Sequence, residues 1–161
     1  QRFIVEALRR CSDDERSKVQ FHIVGDGEIR AELEDICKSE DLQNNIIFYG
    51  LQRNVVPYLE KAQIFILPSV DEGMPISILE AMRQGLPVVS TNVGGIPYQV
   101  INRRTGLLID ASTDGVLNFI KNIENYDWIK MGAASRRRYE EEFGIEQMMC
   151  KYAELLKSIC K

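Results

Sequence analysis

Two acids frame the stretch DEGMPISILEAMRQGLPVV at residues 71–89: Glu72 and Glu80, with seven residues between them and Pro75 three places after the first. An ionised carboxylate is an acceptor with two oxygens, which suits it to hydroxyl groups and above all to vicinal diols. Proline fits the first position of a helix, where its missing N–H is no loss, so Pro75 predicts a helix start there and leaves Glu72 and Gly73 in the loop ahead of it. Ser69 and Glu72 also satisfy a capping box. That helix, however, would hold Gly73 and Pro75 in its first turns, where proline removes an amide and clashes.

The free amides of a helix start attract anions. Carboxylates and amides at one helix end therefore suggest a division of labour, with the amides of Gly73, Met74 and Ile76 facing a diphosphate and the acids taking hydroxyls of a sugar and a ribose. A nucleotide sugar carries all three. On a helix over 76–84, at ~100° per residue, Ile78, Leu79, Ala81 and Met82 share one face and Glu80 falls opposite with Ser77 and Gln84. The plainer alternative for Glu80 is a solvated ion pair with Arg83.

These residues need elements to hold them. Five nearly continuous apolar runs, VQFHIV (19–24), IIFY (46–49), IFIL (64–67), PVVST (87–91) and GLLI (106–109), read as strands buried on both faces of a parallel sheet. Helical patterns alternate with them at about 28–40, 55–62, 76–84 and 96–102, so right-handed crossovers and a Rossmann-like, doubly wound α/β fold are expected. Ligands of such folds sit beyond the carboxyl ends of the strands. Three of those ends carry Gly25 and Gly27, Gly50, and Pro68 with Gly73. Extra helices follow at 114–125 and 128–160, the second broken at Gly144, with apolar positions including Met148, Met149, Tyr152, Leu155, Leu156 and Ile159.

Other motifs are weaker. Gly94 and Gly95 precede a short helix, where glycine often serves backbone freedom alone. The GDG at 25–27 lacks the third glycine of a dinucleotide fingerprint. His22, between Phe21 and Ile23, reads as a satisfied core or near-core histidine. No cluster has metal-ligand spacing, and no phosphate-binding loop or nucleophile-elbow pattern occurs.

The chain's 161 residues, 45% hydrophobic and 27% charged, suit one domain with one sizeable core. A net charge of -4 argues against a nucleic-acid partner or a polybasic membrane contact, and the run Arg136, Arg137, Arg138 ahead of Glu140, Glu141 and Glu142 reads as a solvated helix face. Cys11, Cys37, Cys150 and Cys160 form no C-x-x-C pair and are expected as reduced thiols of a cytoplasmic protein. No run approaches the ~20 apolar residues that cross a bilayer. The chain opens at Gln1 inside a helical pattern (Phe3, Ile4, Ala7, Leu8), the expectation for a piece of a longer protein.

The string from FHIVGDG to GLLID, with P-S-x-x-E-G, E-x(7)-E, E-A-M, G-L-P-V-V and G-G-I-P in order, resembles the carboxy-terminal, donor-binding domain of the retaining GT-B glycosyltransferases of family 4. The resemblance runs in detail over residues 19–110 and loosely through the terminal helices. It implies one half of a GT-B fold, a single nucleotide-sugar-binding domain over 1–161 that lacks its first strand and the acceptor-binding domain. It implies that Glu72 bonds the donor sugar at the catalytic centre, and that Gly73, Met74, Pro75 and Ile76 face sugar and diphosphate. Glu80 would hold the ribose, Gly50, Leu51, Gln52 and Arg53 would lie against the nucleobase, and Gly25 would border the nucleotide.

It further implies retention of anomeric configuration without a metal or other cofactor, an acceptor bound by the other domain, and possible peripheral membrane association of the longer protein. Tyr98 departs from the acid that often follows G-G-x-P. The family's basic residues that neutralise the leaving diphosphate lie upstream of this helix, so the piece is expected to be inactive alone. Two rival readings remain: a nucleotide-sugar epimerase or phosphorylase of related architecture, and a noncatalytic Rossmann-like interaction domain.

Overall fold

The computed structural model describes residues 1–159. The chain runs α1 (Arg2–Arg10), α2 (Asp13–Ser17), β1 (Phe21–Val24), α3 (Arg30–Ser39), β2 (Ile46–Gly50), α4 (Val56–Leu59), β3 (Phe65–Leu67), α5 (Ile76–Arg83), β4 (Val88–Thr91), α6 (Ile96–Gln99), β5 (Gly106–Ile109), α7 (Thr113–Lys121), a 3₁₀ turn Ile123–Asn125, α8 (Trp128–Arg138), a π-helical turn Tyr139–Phe143 and α9 (Ile145–Ile159). All five expected strands form, and every ladder between them is parallel.

Helices cover both faces. On one, Ile4, Val5 and Leu8 of α1, Leu33 of α3 and Val116 and Ile120 of α7 pack with Phe21, Ile23, Ile46 and Val89. On the other, Ile78, Ala81 and Met82 of α5 meet Val88, Ile96 and Val100. This is the layered α/β arrangement that the alternation of runs predicts.

The sheet is in two sections, which the sequence reading does not anticipate. β1 pairs with β2, and β3, β4 and β5 pair in that order; among the described residues no ladder joins β1 to β3. Burial corrects the expectation of strands covered on both faces: only β4 is buried throughout, whereas His22 in β1 is exposed and all of β3 is half-buried. A strand at the margin of its sheet has fewer neighbours to cover it.

Several helices are shorter than expected. α4 is a single turn instead of 55–62, α6 ends at Gln99 because Val100 turns extended (ψ 118°), and the pattern over 114–125 closes at Lys121 before the 3₁₀ turn. α2 goes unforeseen, although Ser12 and Glu15 form its complete capping box. The pattern over 128–160 breaks at Gly144 as expected, and its last residue lies outside the described residues. α9 leaves Ile145, Met148, Met149, Tyr152, Leu155, Leu156 and Ile159 exposed.

Cys11 and Cys37 are buried free thiols and Cys150 is an exposed one; Cys160 lies outside the described residues. Burial pushes the first two thiols up from their ordinary value. In the folded protein a water-soluble disulfide reagent is therefore expected to label Cys150 and to reach Cys11 and Cys37 only on unfolding. Peptide mapping after a timed pulse checks this, and equal labelling of Cys37 and Cys150 would contradict the packing.

Candidate functional site

The carboxyl ends of the parallel strands gather the residues that the sequence singles out. β3 ends at Leu67, and the chain then loops through Pro68–Met74 to reach Pro75, whose ψ of 123° makes it the cap residue of α5 and not its first helical residue. Buried hydroxyls of β4 fasten this exit: Ser90 Oγ donates to the Leu67 carbonyl (2.7 Å) and Thr91 Oγ1 to the Ser69 carbonyl (2.5 Å). Ser69 Oγ in turn donates to Glu72 Oε1 (2.8 Å), so the S-x-x-E pair meets as a side-chain bond in a loop. One carboxylate oxygen of Glu72 is thereby held while the other keeps its acceptor capacity.

Glu72 is half-buried, Gly73, Met74 and Ile76 are exposed, and Pro75 is half-buried. Among the described residues the amides of Gly73 and Met74 donate to no backbone carbonyl. The first amides of α5 have no intrahelical acceptor either, because a helix start always leaves them over. Glu80 is exposed on α5 as expected. Among the described residues it forms no ion pair with Arg83, whose carbonyl instead receives Arg136.

Gly94 and Gly95 turn out to be the bed of this loop. Gly95 N–H donates to the Gly73 carbonyl (2.7 Å). Gly94 sits at φ +52°, and a Cβ on it would fall inside the Glu72 carbonyl oxygen, while one on Gly95 would meet the Gly73 carbonyl. The glycines therefore serve close backbone approach, a use that their spacing alone does not separate from a simple turn. Tyr98, where the resembling family often has an acid, is 72% exposed and makes no side-chain hydrogen bond among the described residues.

The ends of β1 and β2 are tied to each other. Gly25 N–H donates to the Gly50 carbonyl (2.8 Å), and both glycines have positive φ, +124° and +67°. The Arg30 guanidinium lies against Gly50 and is gripped by Glu34 (2.7 Å) and Asp26 (3.4 Å), the Glu34 hydrogen bond holding its pKa above the ordinary value. Beyond Gly50, the exposed Leu51 and Arg53 and the half-buried Gln52 help line an open cleft of about 640 Å³ whose other walls include Tyr49, Tyr58, His22 and Lys61. Among the described residues no Asp or Glu lines it. Two aromatic rings beside uncompensated cations make a surface for a planar, electron-rich ring.

His22 belongs to that wall and not to the core. The Gln20 amide donates to the Asn44 carbonyl (3.0 Å), which turns its oxygen toward His22 Nε2 (3.0 Å) and leaves Nδ1 to accept from Tyr49 O–H (3.0 Å). The histidine is satisfied, as expected, but exposed, because its face of β1 opens into the cleft. The arginine run is also more than a solvated face. Arg138 donates to the carbonyls of Tyr98 (2.6 Å) and Gln99 (3.0 Å) and lies 5.4 Å from the Phe143 ring centre. Gln99 is fully buried, its amide donates to the Pro75 carbonyl (3.0 Å), and among the described residues its Oε1 has no partner. Such an orphaned acceptor costs on the order of 1–3 kcal/mol. Among the described residues no three His, Cys, Asp or Glu side chains assemble as metal ligands.

Known proteins resemble the chain over this whole arrangement. It is 29% identical over 145 residues to the Vi polysaccharide biosynthesis protein VipC/TviE of Salmonella typhi, covering 86% of this chain and 25% of that protein. It is 30% identical over 138 residues to the UDP-Gal:alpha-D-GlcNAc-diphosphoundecaprenol alpha-1,3-galactosyltransferase of Escherichia coli, covering 84% and 36%. The crystal structure of Anabaena Alr3699/HepE in complex with UDP superposes with a TM-score of 0.85 at 23% identity, over 98% of this chain and 45% of that one. The chain thus spans less than half the length of each, and the last likeness shows a shared Rossmann-like α/β fold, that of part of a GT-B glycosyltransferase. Residues 1–126 match the family model described as Glycosyl transferases group 1, and the chain belongs to that family.

Proposed function

We propose that this chain is the donor-binding half of a retaining family 4 glycosyltransferase that moves a sugar from a nucleoside diphosphate to an acceptor hydroxyl. The observation that carries the reading is the loop after β3, where Glu72, held by Ser69, lies beside the unpaired amides of Gly73 and Met74 at the start of the helix that bears Glu80. Glu72 takes hydroxyls of the donor sugar at the reacting centre. The amides of Gly73, Met74 and Ile76, with Pro75 setting the helix entry, face the diphosphate, whose charge grows as the glycosidic bond breaks. Glu80 takes the two ribose hydroxyls, and Gly50, Leu51, Gln52 and Arg53 border the base, with Gly25 beneath.

The departing diphosphate receives the acceptor's proton, no metal is needed, and the acceptor is held by a second domain that α9 reaches with its exposed apolar row. The work is cytoplasmic, with peripheral membrane association left to that other domain. The uridine nucleotide named for the Escherichia coli relative makes UDP-sugars the first donors to try. The break between the two sheets supports a missing strand. A strand leading into α1, crossing right-handedly on the face that α1 shares with α3, falls between β1 and β3. Catalytic cations borne near such a strand are absent from the piece, which is therefore expected to bind a donor without turning it over.

Ligand-observed NMR against UDP, GDP and ADP and their sugar conjugates tests the reading. One nucleotide is expected to bind in the high micromolar to millimolar range with unchanged affinity in excess EDTA. Absence of binding at millimolar concentration, loss of binding in EDTA, or sugar transfer by the isolated piece would each contradict the corresponding part.

A further inference from the structure

We propose that Gln99 is a positioning residue for the donor, a strut in α6 that fixes the loop carrying Glu72; the proposal rests on the donor-binding reading above. Its amide is fully buried, on a short helix whose Ile96 packs with Ile78, Met82 and Val100 in the apolar layer. A carbonyl only accepts, so the Pro75 carbonyl at 3.0 Å fixes which end of the amide is the nitrogen, and Oε1 is left buried with no partner among the described residues. A leucine of similar size would fill the same space without stranding an acceptor. The amide is thus a poor choice for the core and a specific choice for Pro75, the residue through which the loop enters α5.

The strut is also braced from behind. Arg138 donates to the main-chain carbonyls of Gln99 and its neighbour Tyr98, and its guanidinium lies against Phe143 across the π-helical turn that ends α8. α6 is therefore held between the end of α8 on one side and the donor loop on the other. Gly95, one residue before α6, bonds the Gly73 carbonyl of the same loop (2.7 Å). Removing the Pro75 bond frees the loop at one of its two ties to α6, and the groups displaced are the amides that face the diphosphate, while the base-facing loop after β2 is untouched.

The test compares UDP with uridine, each titrated by NMR into the wild-type protein and into Gln99→Leu, alongside thermal unfolding. The variant is expected to bind UDP about tenfold more weakly, to bind uridine as the wild type does, and to melt at the same temperature or higher. A merely structural residue would instead lower the melting temperature and weaken both ligands together. That pattern overturns the proposal, as does wild-type affinity for UDP in the variant. If Gln99→Leu does not fold, the structural role stands in place of the positioning one unless Arg138→Met, which leaves the core intact, shows the same selective loss of UDP. A wild-type protein that binds neither ligand overturns the uridine-donor reading itself, a result distinct from a wild type that binds UDP and a variant that binds it equally well.

Discussion

A Gly94→Ala variant is expected to lose donor binding by more than 100-fold. Two effects act at the one carbon that is added. Alanine at φ +52° occupies the left-handed region, which costs roughly 1–2 kcal/mol. The added Cβ also lands on the Glu72 carbonyl oxygen, so either the β4–α6 turn or the loop after β3 must retreat. Retreat breaks the bond from Gly95 N–H to the Gly73 carbonyl and swings Glu72 and the neighbouring amides away from the place where sugar and diphosphate meet. A displacement of about 1 Å among positioning groups is enough to cost 10²-fold in a reaction, and here carboxylate and amides move together. Stability should fall by only about 2–3 kcal/mol, since Gly94 is exposed and the core beneath it is unchanged. Calorimetric titration with the bound nucleotide and a thermal melt separate the two losses. Near-normal affinity in a folded Gly94→Ala protein would show that the loop's position does not matter for the donor.

Glu80→Ala is the second large effect, and it arises differently. The side chain is exposed on α5 and forms no ion pair among the described residues, so its removal should change stability by no more than about 0.5 kcal/mol. As a ribose ligand it accepts two hydroxyls, and hydrogen bonds to a charged group contribute about 1.5–3 kcal/mol each. Even at the lower end the pair corresponds to roughly 100-fold in nucleotide affinity. A 2′,3′-dideoxynucleotide isolates the interaction: the wild type should bind it about as weakly as the variant binds the ordinary nucleotide, and the variant should lose almost nothing further. Independent, additive losses would place the ribose elsewhere.

The strands were the most legible part of the chain because continuous β-branched and aromatic runs mark them directly, and each run proved to hold a strand. What a run does not carry is the identity of its neighbours. The partition into β1–β2 and β3–β4–β5 depends on which edges meet, information that is spread over the whole fold. Short helices blurred for a related reason: α2 and α4 span five and four residues, too few for a 3.6-residue period to assert itself.

At the site, the sequence identified side chains with evident chemistry and underrated those that work through backbone. Glu72 and Glu80 stood out by type and spacing. Gly95, Ser90, Thr91 and Gln99 bind carbonyls of the Leu67–Pro75 segment and Gly94 lies close against one, and a carbonyl leaves no trace in the sequence of the residues that meet it. A glutamine three places beyond Ile96 was the available hint, being polar on the face of α6 that Ile96 turns to the core. Arg138 was hidden by its neighbours, since Arg136 and Arg137 share its charge and only the direction of each side chain distinguishes them.

On the proposed reading, the division of the sheet in this piece would make a bound donor part of its architecture. On that reading a base-facing loop grows from β2 and a sugar-facing loop from β3, so in this piece, without the proposed strand between β1 and β3, the two ends of one nucleotide would rest on separately hydrogen-bonded units. A ligand that touches both acts as a crosslink. Whatever free energy it gains by spanning them must reappear as resistance of the two units to moving apart, and anything that clamps them together must tighten the ligand by the same factor. Amide exchange at the open margins of β1 and β3 in this piece should therefore slow when nucleotide is bound, while β4, already paired on both sides, should feel the ligand least.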